Sequence, residues 1–127
     1  MKEKTVLIID DNPKNVELAG DVIRRPGLKI IEADNAESGI ELARKHLPDL
    51  ILMDIQLSDM NGKEATAILK KDEKTRNIPI VAMTSYAMDG DKKEIMAAGC
   101  DGYISKPFYP RELVKIVESF LEKSKDG

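Results

Sequence analysis

The sequence has one cysteine, few aromatic residues, no tryptophan and no long hydrophobic run. Its single cysteine, Cys100, excludes an internal disulfide and suits a reducing compartment. Because no histidine lies near it in the sequence, we interpret Cys100 as a packed small residue rather than a nucleophile. No apolar stretch approaches the ~20 residues that cross a bilayer, and the N-terminus lacks the apolar segment of a signal peptide. These absences predict a cytoplasmic protein.

The charge balance also excludes several function classes. Lys and Arg number 20 and Asp and Glu number 23, so the formal net charge is −3. Such a charge balance does not predict the basic surface of a nucleic-acid-binding protein, and the chain has no block of like charges that could act as a tail. With 42% hydrophobic and 34% charged residues in 127 positions, the composition is that of one ordinary globular domain. We therefore predict a single domain over residues 1–127, with no output domain.

Strand-like and helix-like segments alternate along the chain, which is typical of a parallel α/β sheet. This pattern predicts a doubly wound five-stranded parallel sheet with strand order 2-1-3-4-5. The predicted strands are Thr5–Ile9, Lys29–Ala33, Leu50–Met53, Ile80–Met83 and Gly102–Ser105. The predicted helices are Asn15–Arg25, a segment capped by Asn35, one from Gly62 to near Lys71, Met88–Ala98, and one from Pro110 to about Lys123.

Polar groups follow four of these strands directly. Asp10 and Asp11 follow the first strand, Asp54 the third, Thr84 the fourth and Lys106 the fifth. Since open α/β sheets bind ligands beyond the carboxyl ends of their strands, we expect these side chains to meet at one edge. Two unit charges about 4 Å apart repel by roughly 4 kcal/mol at an effective dielectric near 20. Three clustered carboxylates therefore predict a bound cation or raised pKa values.

Four short motifs at these strand ends resemble those of the receiver domain of two-component response regulators. They read I-I-D-D-N, L-I-L-M-D-I-Q-L, V-A-M-T-S-Y-A and G-Y-I-S-K-P-F. Each is weak alone, but all four in order at the ends of the correct strands are specific. The resemblance runs from about Thr5 to Leu121 and implies a flavodoxin-like receiver fold. It is strongest toward single-domain regulators of the cell-cycle type and the receivers of hybrid kinases.

The resemblance assigns the chemistry to phosphoryl transfer. Asp54 is implied as the phosphoacceptor, with Lys106 and Thr84 contacting the phosphoryl group as a fixed positive charge and a hydroxyl donor. The domain would accept a phosphoryl group and lose it again by autodephosphorylation, without being an enzyme acting on other substrates.

A magnesium site is implied beside the phosphoacceptor. Asp10, Asp11 and Asp54 would hold Mg²⁺, with Mn²⁺ as an alternative, and the backbone carbonyl of Gln56 is a further implied ligand. By resemblance, Asp11 ligates the metal directly and Asp10 acts through water. The cation would relieve the repulsion among the carboxylates.

The resemblance also implies a switch and two positions that tune phosphate lifetime. Thr84 and the aromatic Tyr103 would form the switch. Gln56 and Tyr86 would flank the path of attacking water, where an amide can orient the water and a phenol can obstruct it. Pro107 is a candidate for a cis peptide bond that aims the preceding lysine.

The implied partners are proteins. A histidine kinase or histidine phosphotransfer protein would donate the phosphoryl group, and a downstream protein would read it, with no direct contact to nucleic acid or membrane. The domain would be a monomer or a phosphorylation-dependent dimer through helix four, strand five and helix five. In the last helix, Val114 and Leu121 lie beside a core stripe, so either a docking flank or a wide core stripe explains them.

Ser58 and Pro26 depart from the pattern of the resembling family, and the single histidine has a separate interpretation. Ser58 stands where the pattern L-P-x-M-x-G has proline, which predicts a less rigid loop after Asp54. Pro26 at the end of the first helix is also unusual. The only histidine, His46, is interpreted as a surface residue favoured by a helix C-terminus, not as a phosphodonor.

Two other functions stay open at this point. A second interpretation is a receiver excised from a hybrid histidine kinase or a larger regulator. A remote alternative is a magnesium-dependent aspartyl-phosphate phosphatase of the haloacid dehalogenase type. Those enzymes carry a second Asp two positions after a nucleophile on the first strand, whereas here Asn12 follows Asp10 at that spacing.

Overall fold

The computed structural model describes residues 3–85, 89–106 and 108–123, and the side chains of residues 89–91 and 123 are not described. In these ranges, strands and helices alternate as predicted. The strands are β1 (Lys4–Ile9), β2 (Leu28–Ala33), β3 (Leu50–Asp54), β4 (Ile80–Thr84) and β5 (Gly102–Ser105). The helices are α1 (Pro13–Ile23), α2 (Ala36–His46), α3 (Gly62–Lys71), α4 (Asp89–Ala97) and α5 (Pro110–Lys123).

The five strands form one parallel sheet in the order β2-β1-β3-β4-β5, which confirms the predicted topology. β3 and β4 each extend one residue further than predicted and end on Asp54 and Thr84 themselves. The register pairs Ile9 with Met53 and Asp54 with Met83. The carboxyl ends of β1, β3 and β4 are therefore level at one edge of the sheet.

Apolar side chains cover both faces of the sheet, because β1 and β3 are central strands of a parallel sheet. Leu7, Ile9, Ile51 and Met53 pack with the buried residues of α2 and α3 and with Ile95 of α4. Their neighbours in sequence, Val6, Ile8, Leu50 and Leu52, pack on the other face with α1 and α5. Fully burying one such side chain contributes about 1.5–3 kcal/mol to the stability of the fold. The packing on both faces therefore fixes the central strands and the residues at their carboxyl ends.

The ends of α1 differ from the prediction for local reasons. The helix begins at Pro13 rather than Asn15, because Asn12 caps it by accepting a hydrogen bond from Lys14 N–H at 3.0 Å. It ends at Ile23 rather than Arg25, since a residue that precedes proline disfavours helical backbone angles. The earlier start places the helix directly after Asp10 and Asp11.

The last helix decides between two alternatives that the sequence leaves open. Leu121 is only 4% exposed and belongs to the core between α5 and the sheet, so it is not part of a docking flank. Val114 is half-buried on the same helix. The wide core stripe therefore explains Leu121.

Among the residues that the structure describes, no helix has the length and apolar composition of a membrane span.

Candidate functional site

Asp54 occupies the centre of the polar edge. It is the last residue of β3, between β1 and β4, and only 3% of it is exposed. Its Oδ1 accepts a hydrogen bond from Gln56 N–H at 3.0 Å and lies 3.2 Å from Lys106 Nζ. Burial raises the pKa of Asp54 and the charge of Asp10 adds to this, while the Gln56 N–H and Lys106 oppose it. A raised pKa is one of the two outcomes expected for clustered carboxylates.

Three carboxylates converge at this edge as predicted. Oxygen atoms of Asp10, Asp11 and Asp54 all lie within 4.8 Å of one another. Asp10 is 1% exposed and its Oδ1 accepts from Asn12 N–H at 2.9 Å, whereas Asp11 is exposed. An all-oxygen set of this kind matches the ligands that hard divalent cations take in proteins.

Lys106 joins the two buried carboxylates. Its Nζ lies 3.1 Å from Asp10 Oδ2 and 3.2 Å from Asp54 Oδ1. The lysine directly follows β5, and its backbone N–H donates to the Thr84 carbonyl at 2.8 Å. This bond fixes the lysine to the end of the neighbouring strand, so its ammonium reaches the centre of the edge from one side.

Thr84 lies at the end of β4, and 1% of it is exposed. It lines a small cavity of about 280 Å³ together with Gln56, Asn61 and Lys63, and with the apolar residues Ile55, Leu57 and Ile95. The cavity connects the loop after Asp54 with α4. The predicted switch threonine therefore faces the same cavity as Gln56.

Tyr103, the second predicted switch residue, is half-buried in β5 and packs against the core cluster that includes Ile95. The Nζ of Lys92 in α4 lies 5.1 Å from the centre of its ring, which is within cation–π distance. The ring thus contacts both the apolar core and a charge on the neighbouring helix.

Two predicted positions lie outside the described residues. These are Tyr86, predicted to tune dephosphorylation, and Pro107, the candidate for a cis bond. Both assignments stay predictions. The single histidine, His46, is exposed in the last turn of α2, as predicted.

The structure adds two residues that sequence reasoning missed. A Cβ at Gly62 would lie 2.3 Å from the Asp54 carbonyl oxygen, so only glycine lets α3 begin this close to the end of β3. Asp59 accepts hydrogen bonds from Ala36 N–H at 2.9 Å and Glu37 N–H at 3.1 Å, at the start of α2. Gly62 is the glycine of the pattern L-P-x-M-x-G. No feature of the local sequence indicates the contact between Asp59 and the start of α2.

Comparison with known proteins covers nearly all of this chain. Residues 6–118 match the family described as the response regulator receiver domain. The polar-differentiation response regulator DivK of Brucella anthropi is 43% identical over 118 residues, which cover 93% of this chain and 96% of that relative. Residues 6–118, which match the family, contain the three clustered carboxylates and Lys106.

Solved structures agree with the fold. A putative response regulator from Chloroflexus aurantiacus superposes with a TM-score of 0.89 at 30% identity, covering 95% of this chain and 99% of that one. The receiver domain of the sensor histidine kinase PA1611 from Pseudomonas aeruginosa gives a TM-score of 0.85 at 29% identity, covering 94% and 98%. That relative carries a magnesium ion coordinated in its active site cleft.

Proposed function

The chain belongs to the response regulator receiver domain family, and we propose that it accepts a phosphoryl group on Asp54 from a histidine-phosphorylated donor. Members of this family are signalling proteins rather than metabolic enzymes. The likeness predicted from the sequence, to single-domain regulators of the cell-cycle type, is confirmed by the DivK relatives. The phosphorylated form would signal by contact with other proteins.

The observation that supports this proposal is the pairing of Asp54 with Lys106 at the centre of the sheet edge. A carboxylate oxygen of Asp54 attacks phosphorus, and the bond from phosphorus to the donor imidazole nitrogen breaks. Its electron pair returns to the imidazole, which then takes up a proton, and Asp54 becomes an acyl phosphate. The Lys106 ammonium, 3.2 Å from Asp54 Oδ1, stabilises the charge on the transferred oxygens.

The donor atoms of the acidic cluster fit Mg²⁺. Asp10, Asp11 and Asp54 would hold it, with the Gln56 carbonyl as the further proposed ligand and Mn²⁺ as an alternative ion. When bound, the cation neutralises charge on the transferring phosphoryl group and on the carboxylates. The magnesium ion in the receiver of PA1611 supports this choice. Asn12 N–H contributes by holding Asp10 in place at 2.9 Å.

Thr84 and Tyr103 would transmit the phosphorylated state to partners. Thr84 would donate its hydroxyl to the phosphoryl group, and Tyr103 would respond by filling the space that the threonine side chain leaves. The cavity shared by Thr84 and Gln56 supports such a movement, because it provides room beside the strand end.

The proposed partners are a histidine kinase or phosphotransfer protein and a downstream protein. A cytoplasmic location, the single-domain organisation and the phosphorylation-dependent dimer stay predictions from the sequence.

Incubation with acetyl phosphate and Mg²⁺ tests this function. The parent chain should gain the mass of one phosphoryl group, and Asp54→Asn should gain none. Asp21→Asn, which removes an exposed carboxylate from α1, is the matched control and should gain mass like the parent. A parent that stays unlabelled would exclude the receiver function. A parent that hydrolyses simple phosphomonoesters with turnover would favour the phosphatase alternative.

A further inference from the structure

The loop that follows Asp54 is hydrogen-bonded to the first residues of α2. Residues 55–61 connect β3 to α3, and Asp59 in this loop accepts hydrogen bonds from two backbone N–H groups. Its Oδ1 accepts from Ala36 at 2.9 Å and its Oδ2 from Glu37 at 3.1 Å. Both oxygens of one carboxylate are therefore engaged at the start of α2.

This contact completes the N-terminus of α2. The first helical N–H groups have no partner within a helix, and they carry a partial positive charge. The cap residue Asn35 accepts from Ser38 N–H at 2.8 Å, and Asp59 takes the two N–H groups before it. The pKa of Asp59 is lowered, first by the Ala36 N–H and then by the Glu37 N–H. The carboxylate is thus held in its charged form.

The same loop carries the groups that surround Asp54. Gln56 N–H donates to Asp54 Oδ1 at 3.0 Å, and Gly62 N–H closes the loop by donating to the Ile55 carbonyl at 2.8 Å. Gln56 and Asn61 form an isolated antiparallel bridge. Asp59 lies inside this closed loop, so its attachment to α2 limits the movement of the bridge and of the Gln56 backbone.

Ser58 leaves the loop without the backbone restriction that a proline would supply. A serine leaves the backbone angle φ free, whereas a proline at the same position would restrict it to about −65°. The sequence alone predicts a loosened loop for this reason. The two hydrogen bonds of the adjacent Asp59 remove that freedom by a different means.

We propose that Asp59 is a positioning residue: by fixing the 55–61 loop to the N-terminus of α2, it holds the Gln56 backbone in register with Asp54 for magnesium binding and phosphoryl transfer. This inference rests on the proposed function. Asp59 is exposed and acts through the loop, not by contact with the phosphoryl group. It also links the loop after Asp54 mechanically to the start of α2.

Magnesium affinity is the readout that separates positioning from general stability. Partners of metal ligands change affinity by about 10–100-fold when removed. Asp59 acts on the Gln56 carbonyl only through the loop backbone, so its effect should be smaller. Asp59→Ala should bind Mg²⁺ about three- to tenfold more weakly than the parent. The titration follows the Gln56 amide by NMR, and the initial rate of labelling by acetyl phosphate should fall in parallel. Amide protons of Ala36 and Glu37 should also exchange faster.

The matched control is Asn35→Ala. It removes the other cap of α2, whose acceptor serves Ser38, and leaves the 55–61 loop untouched. It should lower the melting temperature while keeping the parent's Mg²⁺ affinity. Adding Ser58→Pro to Asp59→Ala should restore most of the affinity, because proline restricts the loop again. Asp59→Asn keeps one acceptor oxygen and should fall between the parent and Asp59→Ala.

The outcomes are distinguishable. If the parent binds Mg²⁺ and Asp59→Ala and Asp59→Asn bind it equally well, the positioning role is wrong and the proposed function stands. If Asn35→Ala weakens Mg²⁺ as much as Asp59→Ala does, the effect belongs to α2 stability, and the inference is again wrong. A parent that neither binds Mg²⁺ nor accepts phosphate overturns the proposed function and the inference together.

Discussion

Lys106 Nζ lies 3.2 Å from Asp54 Oδ1 and reaches it from the end of a different strand. The two residues are separated by a whole strand, β4, yet their side chains meet because the carboxyl ends of β3, β4 and β5 are level. The same ammonium also contacts Asp10 at 3.1 Å. Lys106 would therefore compete with a cation for the carboxylates and, after phosphorylation, would pair with the phosphoryl oxygens.

Replacing this lysine should separate the two roles. Lys106→Met removes a positive charge from the cluster, so Mg²⁺ affinity should rise by about tenfold, equivalent to ~1.4 kcal/mol. The rate of labelling by acetyl phosphate should fall, since the transferred group loses a stabilising charge. Calorimetric Mg²⁺ titration and labelling time courses measure the two effects, with exposed Lys115→Met as control. A variant with unchanged Mg²⁺ affinity would contradict the competition.

The raised pKa of Asp54 gives a prediction about stability in buffer that lacks divalent cations. Below the unfolded value of 3.8, Asp54 is protonated in both states. As the pH rises above that value, the unfolded chain releases the proton more readily, so the free energy of unfolding decreases until the folded pKa is passed. Asp54→Asn cannot ionise and avoids this loss. It should be more stable than the parent at pH 7, with the difference vanishing toward acid pH.

Urea denaturation at several pH values measures that difference. Saturating Mg²⁺ should reduce it, because the ion stabilises only the folded parent. An Asp54→Asn variant that is less stable than the parent without Mg²⁺ would show that the carboxylate is favourably paired rather than destabilised by burial.

Gly62 is predicted to be required beside Asp54. A Cβ there would lie 2.3 Å from the Asp54 carbonyl oxygen and 2.7 Å from Ile55 Cα, both backbone atoms that cannot rotate away. Gly62→Ala should destabilise the fold by about 1–3 kcal/mol. Gly20→Ala is the matched control, since its Cβ would meet only an Arg24 side-chain atom at 3.7 Å within α1. That control should stabilise the helix by about 0.5–1 kcal/mol, and thermal unfolding distinguishes the two.

The convergence of Asp10, Asp11, Asp54 and Lys106 could be predicted from the sequence because it depends on strong local signals. Short apolar runs mark buried parallel strands, and such strands bring their carboxyl ends to one edge. The residues that follow them are then fixed in position by the strand order. The alternation of elements gave that order without knowledge of any side-chain contact.

Contacts across the fold could not be predicted in the same way. Asp59 meets Ala36 across 23 positions of sequence, and no periodicity links a loop residue to a distant helix start. Leu121 was ambiguous for a related reason, since the width of the stripe buried on α5 depends on how the helix packs against the sheet and α1. Helix ends near prolines, as at Pro13 and Pro26, differ from the predicted ends by two residues.

Thr84 should be needed for the response and not for labelling. Thr84→Ala removes the hydroxyl, so acetyl phosphate should still label Asp54, while the NMR shift change of Tyr103 on phosphorylation should be strongly reduced. Thr84→Ser keeps the hydroxyl and should retain that change. If Tyr103 responds normally in Thr84→Ala, the proposed coupling between the two residues is wrong.

Locating the phosphoryl group tests most directly whether Asp54 is the phosphoacceptor. After labelling with acetyl phosphate and Mg²⁺, the acyl phosphate can be trapped by reduction and mapped by peptide mass spectrometry. We expect modification of Asp54 alone, dependent on Mg²⁺. Modification of Asp10 instead, or labelling of Asp54→Asn to the same extent as the parent, would contradict it.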